Sequence, residues 1–289
     1  MSVADITLNG LPAVRLTHAS GATADVYVDG AHLASWKVGG VENLFVSSAS
    51  GFGGGKAIRG GVPVCFPQFA GRGPMQKHGF ARNMTWKVVR TATSPYPSVV
   101  LGLQDSAASK EHWDASFVLT YAVTLDGPET VSMSFTVQNK GEKALEFTAA
   151  LHTYFTCAHA ACVQAYGLQG LEYEDSAKGG AKGTQETELL TMEGELDRVY
   201  FSTPSELHLL HLAEGRHLKV VKMGFPDAVT WNIGEAKAPT IKDLGKGEFA
   251  KYVCLEAGAI GKAIKLEPQC SWTGGQQLIA GVPVPARKK

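Results

Sequence analysis

The sequence predicts an all-β protein, a large antiparallel sandwich with few short helices that forms one domain over residues 1–289. Two observations support this fold class. Apolar and polar residues alternate along many segments, which is typical of strands buried on one face. Turn-rich pieces such as "LDGPE" and "QNKGEKA" separate these segments, whereas helical periodicity is scarce and no strand–helix–strand rhythm occurs.

Strands are expected wherever the alternation is clear. The segments "SFVLTYAVTL" and "TVSMSFTVQN" each place their apolar residues on one face. These apolar residues are Phe117, Leu119, Tyr121, Val123 and Leu125 in the first segment and Val131, Met133, Phe135 and Val137 in the second. The segments "LEFTAALHTYF", "RHLKVVKM", "AVTWNI" and "KYVCLEAG" follow the same period, and the polar segment "EDSAKGGAKGTQETE" is predicted to be a loop.

Composition argues against several classes of partner. The chain has 289 residues, of which 44% are hydrophobic and 19% charged; its formal net charge is zero and its isoelectric point is about 7.1. No overall field would therefore attract nucleic acid or an anionic membrane. No run approaches the ~18 apolar residues of a membrane span. The first ten residues lack the basic and apolar regions of a secretory signal, so we expect a cytoplasmic protein.

The cysteines do not suggest a disulfide framework or a metal site. There are five, an odd number, and they are widely scattered along the chain. No pair has the spacing of zinc ligands. We therefore expect buried free thiols at all five positions, which are Cys65, Cys157, Cys162, Cys254 and Cys270.

The stretch "AIRGGVPVCFPQFAGRGPMQKHGFARNMTW", residues 57–86, combines basic side chains with many glycines and prolines. No Asp or Glu occurs between residues 56 and 104, so Arg59, Lys77 and Arg82 have no acidic partner near them in sequence. A guanidinium group can bind phosphate through two parallel hydrogen bonds. The stretch therefore predicts a site for a small anionic ligand.

Three polar residues stand out near the strand patterns. His152 lies opposite the apolar face of "LEFTAALHTYF", so it is either a solvent-facing histidine on an outer strand or part of a second, concave sheet face. Glu256 ends a strand just before Gly258, where a carboxylate is either a solvated cap or a functional group. Asp197 precedes a further strand, and a local salt bridge or a turn is the simplest explanation for it.

Seven segments together resemble the hexose-6-phosphate mutarotases, which belong to the aldose 1-epimerase group. In chain order they are "IRGGVPVCFPQF", "KHGFARNMTW", "ALHTYF", "LDRVY", "VTWNIG", "VCLEAG" and "SWTGGQQL". This resemblance spans nearly the whole chain. It implies a galactose mutarotase-like β-supersandwich with its site on a concave sheet face, and neither a metal nor an organic cofactor. We expect a monomer whose partner is a small-molecule sugar phosphate.

The resemblance also assigns roles to individual residues. It implies that His152 and Glu256 are a catalytic acid/base pair. It further implies a set of substrate-binding residues, which are Arg59, Lys77, His78, Arg82 and Asp197. Within this set the arginines would hold a phosphate and the aspartate a sugar hydroxyl, while the histidine would line the sugar pocket. The lysine stands where the family often has glutamine. With ordinary pKa values near ~6.5 and ~4.3, the catalytic histidine could donate a proton near neutrality and the glutamate would be available as a carboxylate base.

The implied activity is the interconversion of the α and β anomers of a hexose 6-phosphate, glucose 6-phosphate above all, by ring opening and closure. Two other functions stay open. One is an epimerase for unphosphorylated aldoses that uses the same acid/base pair, against which the basic cluster around Arg59 and Arg82 argues. The other is a non-catalytic carbohydrate-binding sandwich, which would bind a sugar without exchanging its anomers.

Overall fold

A computed structural model of the chain describes residues 1–211 and 216–281 and consists mainly of β-strands. Its strands form three sheets of five, nine and eight strands. Every pairing between two of these strands is antiparallel. The predicted fold class, an all-β antiparallel sandwich, is therefore confirmed.

The five-stranded sheet comes from the N-terminal part of the chain. It contains, side by side in sequence order, β1 (Ser2–Leu8), β2 (Leu11–Thr17), β3 (Thr23–Tyr27), β4 (His32–Val38) and β5 (Val41–Glu42). The eight-stranded sheet contains β6 (Val64–Cys65), β11 (Leu145–Leu151), β12 (Tyr154–Thr156), β14 (Glu172–Asp175), β15 (Ala181–Thr184), β17 (Leu196–Tyr200), β20 (Asp227–Asn232) and β21 (Tyr252–Leu266). Its spatial order is β15-β14-β17-β20-β21-β11-β6, and β12 also pairs with β21.

The nine-stranded sheet contains β7 (Lys87–Ala92), β8 (Ser98–Gln104), β9 (Phe117–Gly127), β10 (Thr130–Asn139), β13 (Val163–Tyr166), β16 (Leu189–Thr191), β18 (Glu206–His211), β19 (Arg216–Met223) and β22 (Ser271–Ala280). Its spatial order is β16-β13-β18-β19-β22-β10-β9-β8-β7. The helices are short. They are α1 (Ala107–Lys110), α2 (Gly234–Lys237) and the 3₁₀ turns Ala81–Asn83, Ala160–Cys162, Ser176–Lys178, Ala238–Thr240 and Glu248–Lys251. Within the two described ranges no helix is long and apolar enough to cross a membrane.

Strands β9 and β10 supply much of the hydrophobic core. Their burial alternates strictly, so that every second side chain points inward. The inward residues include Phe117, Tyr121 and Phe135, all with no exposed surface, and Met133 with 1%. Burying a side chain of this size contributes roughly 1.5–3 kcal/mol. The faces predicted from the sequence for these two strands are confirmed.

The eight-stranded sheet is covered on both faces near its centre. Along β11, Phe147 belongs to the main core, whereas Ala150 packs in a separate cluster on the opposite face. That opposite face is partly covered by the stretch 57–86, in which β6 pairs with β11. The backbone N–H of Phe69 donates a hydrogen bond of 2.7 Å to Oγ1 of Thr148. The stretch therefore lies directly on the sheet and forms one side of a cleft there.

Glycine is required where this stretch approaches its neighbours most closely. Gly79 has a φ of +69°, and a Cβ atom at this position would lie 2.1 Å from the carbonyl oxygen of Phe66. The preceding residue, His78, also has a positive φ, of 70°. The irregular backbone thus allows the chain to turn tightly and to present His78 to the sheet face.

Three expectations about single segments are wrong. The segment "EDSAKGGAKGTQETE" is not entirely a loop, because it contains the end of β14 and all of β15, which pair as a hairpin. Strand β21 does not end at Gly258 but continues to Leu266 and pairs with β11 on both sides of a register shift. Not all of the free cysteines are buried, since Cys162 is half-buried and Cys270 is exposed.

Candidate active site

A cleft of about 790 Å³ opens on the face of the eight-stranded sheet that the stretch 57–86 partly covers. Its lining comes from β17, β20 and β21, from the end of β11, from the stretch itself and from the segment that contains α2. All seven residues singled out from the sequence line this cleft: Arg59, Lys77, His78, Arg82, His152, Asp197 and Glu256. The structure therefore brings together residues that are widely separated along the chain.

His152 and Glu256 lie next to each other in the cleft. Glu256 is in the middle of β21 and 1% exposed, and His152 follows the last residue of β11 and is 6% exposed. Nδ1 of His152 lies 3.3 Å from Oε1 of Glu256. Within the described ranges neither this Nδ1 nor Oε2 of Glu256 makes a hydrogen bond. His152 is thus on the concave face rather than on a solvent-facing strand, and both side chains have bonding capacity for a ligand.

Two aromatic rings fix the orientation of His152. Tyr154 stacks on the imidazole with ring centres 4.7 Å apart and planes 9° apart, and Trp231 meets it edge-on at 5.7 Å. The sequence alone does not assign either ring to the site. A signal for Tyr154 was present, because a side chain two positions after His152 points to the same sheet face. Trp231 gave no such signal, since an aromatic residue at the end of a strand is usually part of the core.

His78 packs against the edge of His152, with ring centres 5.3 Å apart. Nδ1 of His78 accepts a hydrogen bond of 3.3 Å from the backbone N–H of Ala70 and lies 3.3 Å from Sγ of Cys65. Because Nδ1 is an acceptor, the neutral ring carries its proton on Nε2. His78 can therefore donate a hydrogen bond to a ligand oxygen.

Burial shifts the pKa values of His152 and Glu256 in opposite directions. Desolvation raises the pKa of Glu256 well above its usual 4.5, and the nearby Asp197 carboxylate adds to this effect. Desolvation lowers the pKa of His152 well below 6.5, and the positive charges of Arg82 and Arg59 lower it further. Burial therefore favours a neutral imidazole beside a protonated carboxyl group. This is the reverse of the proton placement that the ordinary pKa values suggest.

Arg59 is not the unpaired cation that the sequence suggests. Its Nε and Nη2 donate hydrogen bonds to the two carboxylate oxygens of Asp243, at 3.1 and 3.3 Å, and its Nη1 donates to the hydroxyl of Tyr154 at 3.1 Å. Asp243 lies 184 positions further along the chain. The expectation failed because a partner so distant in sequence leaves no local signal.

Lys77 and Arg82 differ from the other cations of the cleft. Arg72 pairs with Glu174 and Lys237 with Glu195, whereas Lys77 and Arg82 form no ion pair with any residue of 1–211 or 216–281. Nη2 of Arg82 donates to the backbone oxygen of Lys77 at 2.9 Å, and the Nε of Arg82 is buried without a hydrogen-bond acceptor among the described residues. Leaving a charged donor unsatisfied costs free energy, so the binding of an anion here is favourable.

Asp197 is half-buried on β17 and faces the same cleft. Desolvation raises the pKa of its carboxyl group. The local salt bridge suggested by the sequence does not involve Asp197, because the adjacent Arg198 pairs with Asp175 at 3.2 Å. The carboxyl group of Asp197 is thus available to accept hydrogen bonds from a ligand that carries hydroxyl groups.

Solved structures share this architecture. The chain is similar to "a putative mutarotase (YeaD) from Salmonella typhimurium", with a TM-score of 0.88 and 26% identity over 96% of this chain and 93% of that one. A galactose mutarotase-like protein from Clostridium acetobutylicum has a TM-score of 0.75 at 13% identity, with coverage of 98% and 99%, and shows the fold alone. Fold and site together define a carbohydrate epimerase with the galactose mutarotase-like fold.

The comparison of sequences identifies the family. The family described as aldose 1-epimerase matches residues 12–278. A protein of Cenchrus ciliaris named "Putative glucose-6-phosphate 1-epimerase" is 33% identical over 285 residues, which are 95% of this chain and 86% of that protein. A Salmonella typhimurium protein of the same name is 32% identical over 239 residues, 81% of this chain and 78% of that one. The chain therefore belongs to the aldose 1-epimerase family, and it is an isomerase that interconverts sugar anomers.

Proposed function

We propose that this protein interconverts the α and β anomers of a hexose 6-phosphate, with glucose 6-phosphate as the preferred sugar. The observation that carries the proposal is that one cleft contains both a buried histidine in contact with a buried glutamate, His152 and Glu256, and two cations with no acidic partner in the described ranges, Lys77 and Arg82. The names of the two relatives agree with this substrate class. An epimerase of unphosphorylated aldoses would need the pair but not the cations.

The cations provide a place for the 6-phosphate. Arg82 would form two parallel hydrogen bonds to phosphate oxygens, and Lys77 would add a second positive charge. Arg59 uses three of its five N–H groups on Asp243 and Tyr154, so two remain for the ligand. His78 would donate to a ring hydroxyl or the ring oxygen.

Anomer exchange needs only proton transfers at the acetal centre. A base takes the proton of the C1 hydroxyl while an acid gives a proton to the ring oxygen, so the bond between C1 and the ring oxygen breaks and an aldehyde forms. Rotation about C1–C2 and closure with the reverse proton movements give the other anomer. In the proposal Glu256 is the base and His152 is the acid.

The shared proton of the pair connects this chemistry with the pKa shifts. The pair needs one proton in total, because one group donates while the other accepts. In the free site that proton favours Glu256, and its transfer across the 3.3 Å between Oε1 and Nδ1 produces the form that starts the reaction. Since the two groups are in contact, they titrate as one unit.

Substitutions of the pair test the proposed chemistry. We expect Glu256→Gln and His152→Ala each to lower kcat for glucose 6-phosphate by about 10²–10⁴-fold, which is the usual contribution of a general acid or base. Binding of the sugar, measured by calorimetry, should persist in at least one of the variants. Anomer exchange at nearly the wild-type rate in either variant would remove that residue from the mechanism. If the wild-type protein bound the sugar but did not exchange its anomers, it would be a carbohydrate-binding module.

A separate pair of variants tests the phosphate site. Arg82→Gln should reduce kcat/KM for glucose 6-phosphate by about tenfold to 150-fold, because a charge-assisted hydrogen bond contributes roughly 1.5–3 kcal/mol. The same variant should change kcat/KM for glucose much less. Lys237→Gln is the matched control, since Lys237 lines the cleft but is paired with Glu195 at 2.6 Å. Equal losses for both sugars in Arg82→Gln would contradict the assignment.

A further inference from the structure

A third side chain with metal-binding chemistry lies beside the acid/base pair. Cys254 is two positions before Glu256 on β21, so both side chains point to the same face of the sheet. The register places Cys254 opposite Tyr154 of β12 on one side and Trp231 of β20 on the other. Cys254 has no exposed surface and is a free thiol. The proposed mechanism makes no use of it.

The donor atoms of the three side chains converge on one point. A ring nitrogen of His152, Sγ of Cys254 and a carboxylate oxygen of Glu256 all lie within 4.8 Å of one another. In a tetrahedral zinc site with bonds of about 2.0–2.3 Å, the ligand atoms are about 3.3–3.8 Å apart. The distance of 3.3 Å between Nδ1 of His152 and Oε1 of Glu256 already meets this requirement.

One nitrogen of His152 and one oxygen of Glu256 lack hydrogen-bond partners in the described part of the chain. Nδ1 of His152 and Oε2 of Glu256 are buried and make no hydrogen bond with any residue in the described part of the chain. Their side chains are 7% and 1% exposed, and both line the cleft. Two unsatisfied polar side chains that face a cleft next to a thiol are an arrangement that a cation would stabilise.

We propose that His152, Cys254 and Glu256 form a binding site for one thiophilic divalent cation of the Zn²⁺ type. Imidazole, thiolate and carboxylate are the three ligand types that this class of cation prefers, and three protein ligands leave a fourth position for water from the cleft. As the cation binds, the thiol of Cys254 and the His152–Glu256 pair each release one proton to solvent, because thiolate, neutral imidazole and carboxylate are the ligating forms. The cation takes no part in the proposed catalysis.

The consequence of this site would be inhibition. The cation would occupy both members of the pair that the sugar requires, so cation and hexose phosphate would exclude each other from the cleft. The mutual exclusion of cation and hexose phosphate rests on the proposed function. Cation binding itself does not depend on which sugar the protein accepts.

Cobalt(II) is a suitable probe because its absorption spectrum reports thiolate coordination directly. Co²⁺ would be titrated into the chelator-treated, reduced full-length protein and followed by the thiolate-to-metal charge-transfer band and by calorimetry. We expect one equivalent to bind with this band. Cys254→Ser should abolish the band and weaken binding by more than about 100-fold, because even residues that only support metal ligands contribute 10–100-fold. Cys254→Ala serves as a second variant if serine disturbs folding, which circular dichroism would show.

Cys65→Ser is the matched control. Cys65 is as buried as Cys254 and lies 3.3 Å from another cleft histidine, His78, so this variant should leave the band and the affinity unchanged. Glucose 6-phosphate in excess should displace the cation from the wild-type protein. A band that survives in both Cys254 variants, or the absence of any one-to-one binding with thiolate character, would overturn the site. A band lost in the Cys254 variants but insensitive to every sugar would support the site and contradict only its competition with substrate.

Discussion

At the scale of single residues, burial decides how His152 and Glu256 behave. Both side chains have little contact with solvent, and desolvation disfavours the charged form of each. The sequence identifies the two residue types but not their burial, so it suggests ordinary pKa values. The structure instead predicts that the pair keeps one shared proton over a wide pH range, from the lowered pKa of His152 up to the raised pKa of Glu256.

The pH profile of kcat follows from this coupling. With ordinary pKa values, activity would fall as the pH rises through 6.5, because the histidine would lose its proton. Since the pair loses its shared proton only at the raised pKa of Glu256, we expect the alkaline fall in kcat for glucose 6-phosphate to follow that raised pKa rather than the ordinary pKa of a histidine, in buffer with a metal chelator. Measurement at saturating sugar keeps the titration of the sugar phosphate, whose pKa is about 6, from changing the rate through weaker binding. A fall in kcat centred on 6.5, the ordinary pKa of a histidine, would contradict the shared proton.

Glu256 is also expected to make the fold less stable at higher pH. Its folded pKa lies above 4.5, so its contribution to the free energy of unfolding is fully present below pH 4.5 and is lost as the pH rises towards the folded pKa. Each unit of difference corresponds to about 1.4 kcal/mol. Glu256→Gln should therefore raise Tm at pH 8, by roughly 2–4 °C per kcal/mol, and much less at pH 4.5.

Thermal unfolding of a matched variant separates this effect from a general gain in stability. Glu267→Gln removes an exposed carboxylate just after the same strand and should leave Tm nearly unchanged at both pH values. A lower Tm of Glu256→Gln at pH 8 would contradict the prediction that ionisation of Glu256 reduces the free energy of unfolding.

At the scale of elements, period-two alternation predicts most strands but not what lies between them. The inward faces of β9 and β10 follow directly from the pattern. The length of β21 does not, because Gly258 resembles a terminator although it pairs with Ala150 and Asp227 inside the sheet. Likewise, the chemistry of the stretch 57–86 is visible in its basic residues, whereas its position on the sheet depends on tertiary contacts such as the one between Phe69 and Thr148.

The close approach at Gly79 gives a prediction for this stretch. Gly79→Ala would place an alanine at a positive φ, with its Cβ 2.1 Å from a carbonyl oxygen. We therefore expect this variant to lose several kcal/mol in the free energy of unfolding, measured by urea denaturation. Gly10→Ala is the control, because Gly10 has a φ of +77° but a Cβ added there would meet no atom within 4 Å, so this variant should lose only about 1–2 kcal/mol. Equal losses in the two variants would show that the contact with Phe66 does not matter.

At the scale of the whole molecule, a net charge of zero conceals a charged cleft. The sequence shows that residues 56–104 are free of acids, and from this it predicts an anion site, whose basic residues line the cleft in the structure. It cannot show that Asp243 pairs with Arg59 or that Glu174 pairs with Arg72, because the two residues of each pair are more than 100 positions apart and meet only in the folded chain. Among the cations that line the cleft, the structure shows that Lys77 and Arg82 lack acidic partners in the described ranges, which depends on how the sheets are assembled.

The most direct test of the central claim is anomer exchange measured by magnetisation-transfer NMR on the wild-type protein, with glucose 6-phosphate and glucose in parallel. We expect fast exchange of glucose 6-phosphate, and for glucose a rate lower by at least the tenfold to 150-fold attributed to the phosphate contacts. Equal acceleration of the two sugars would contradict the role of Lys77 and Arg82, and no acceleration of either would contradict the assignment of His152 and Glu256 as an acid/base pair for hexoses.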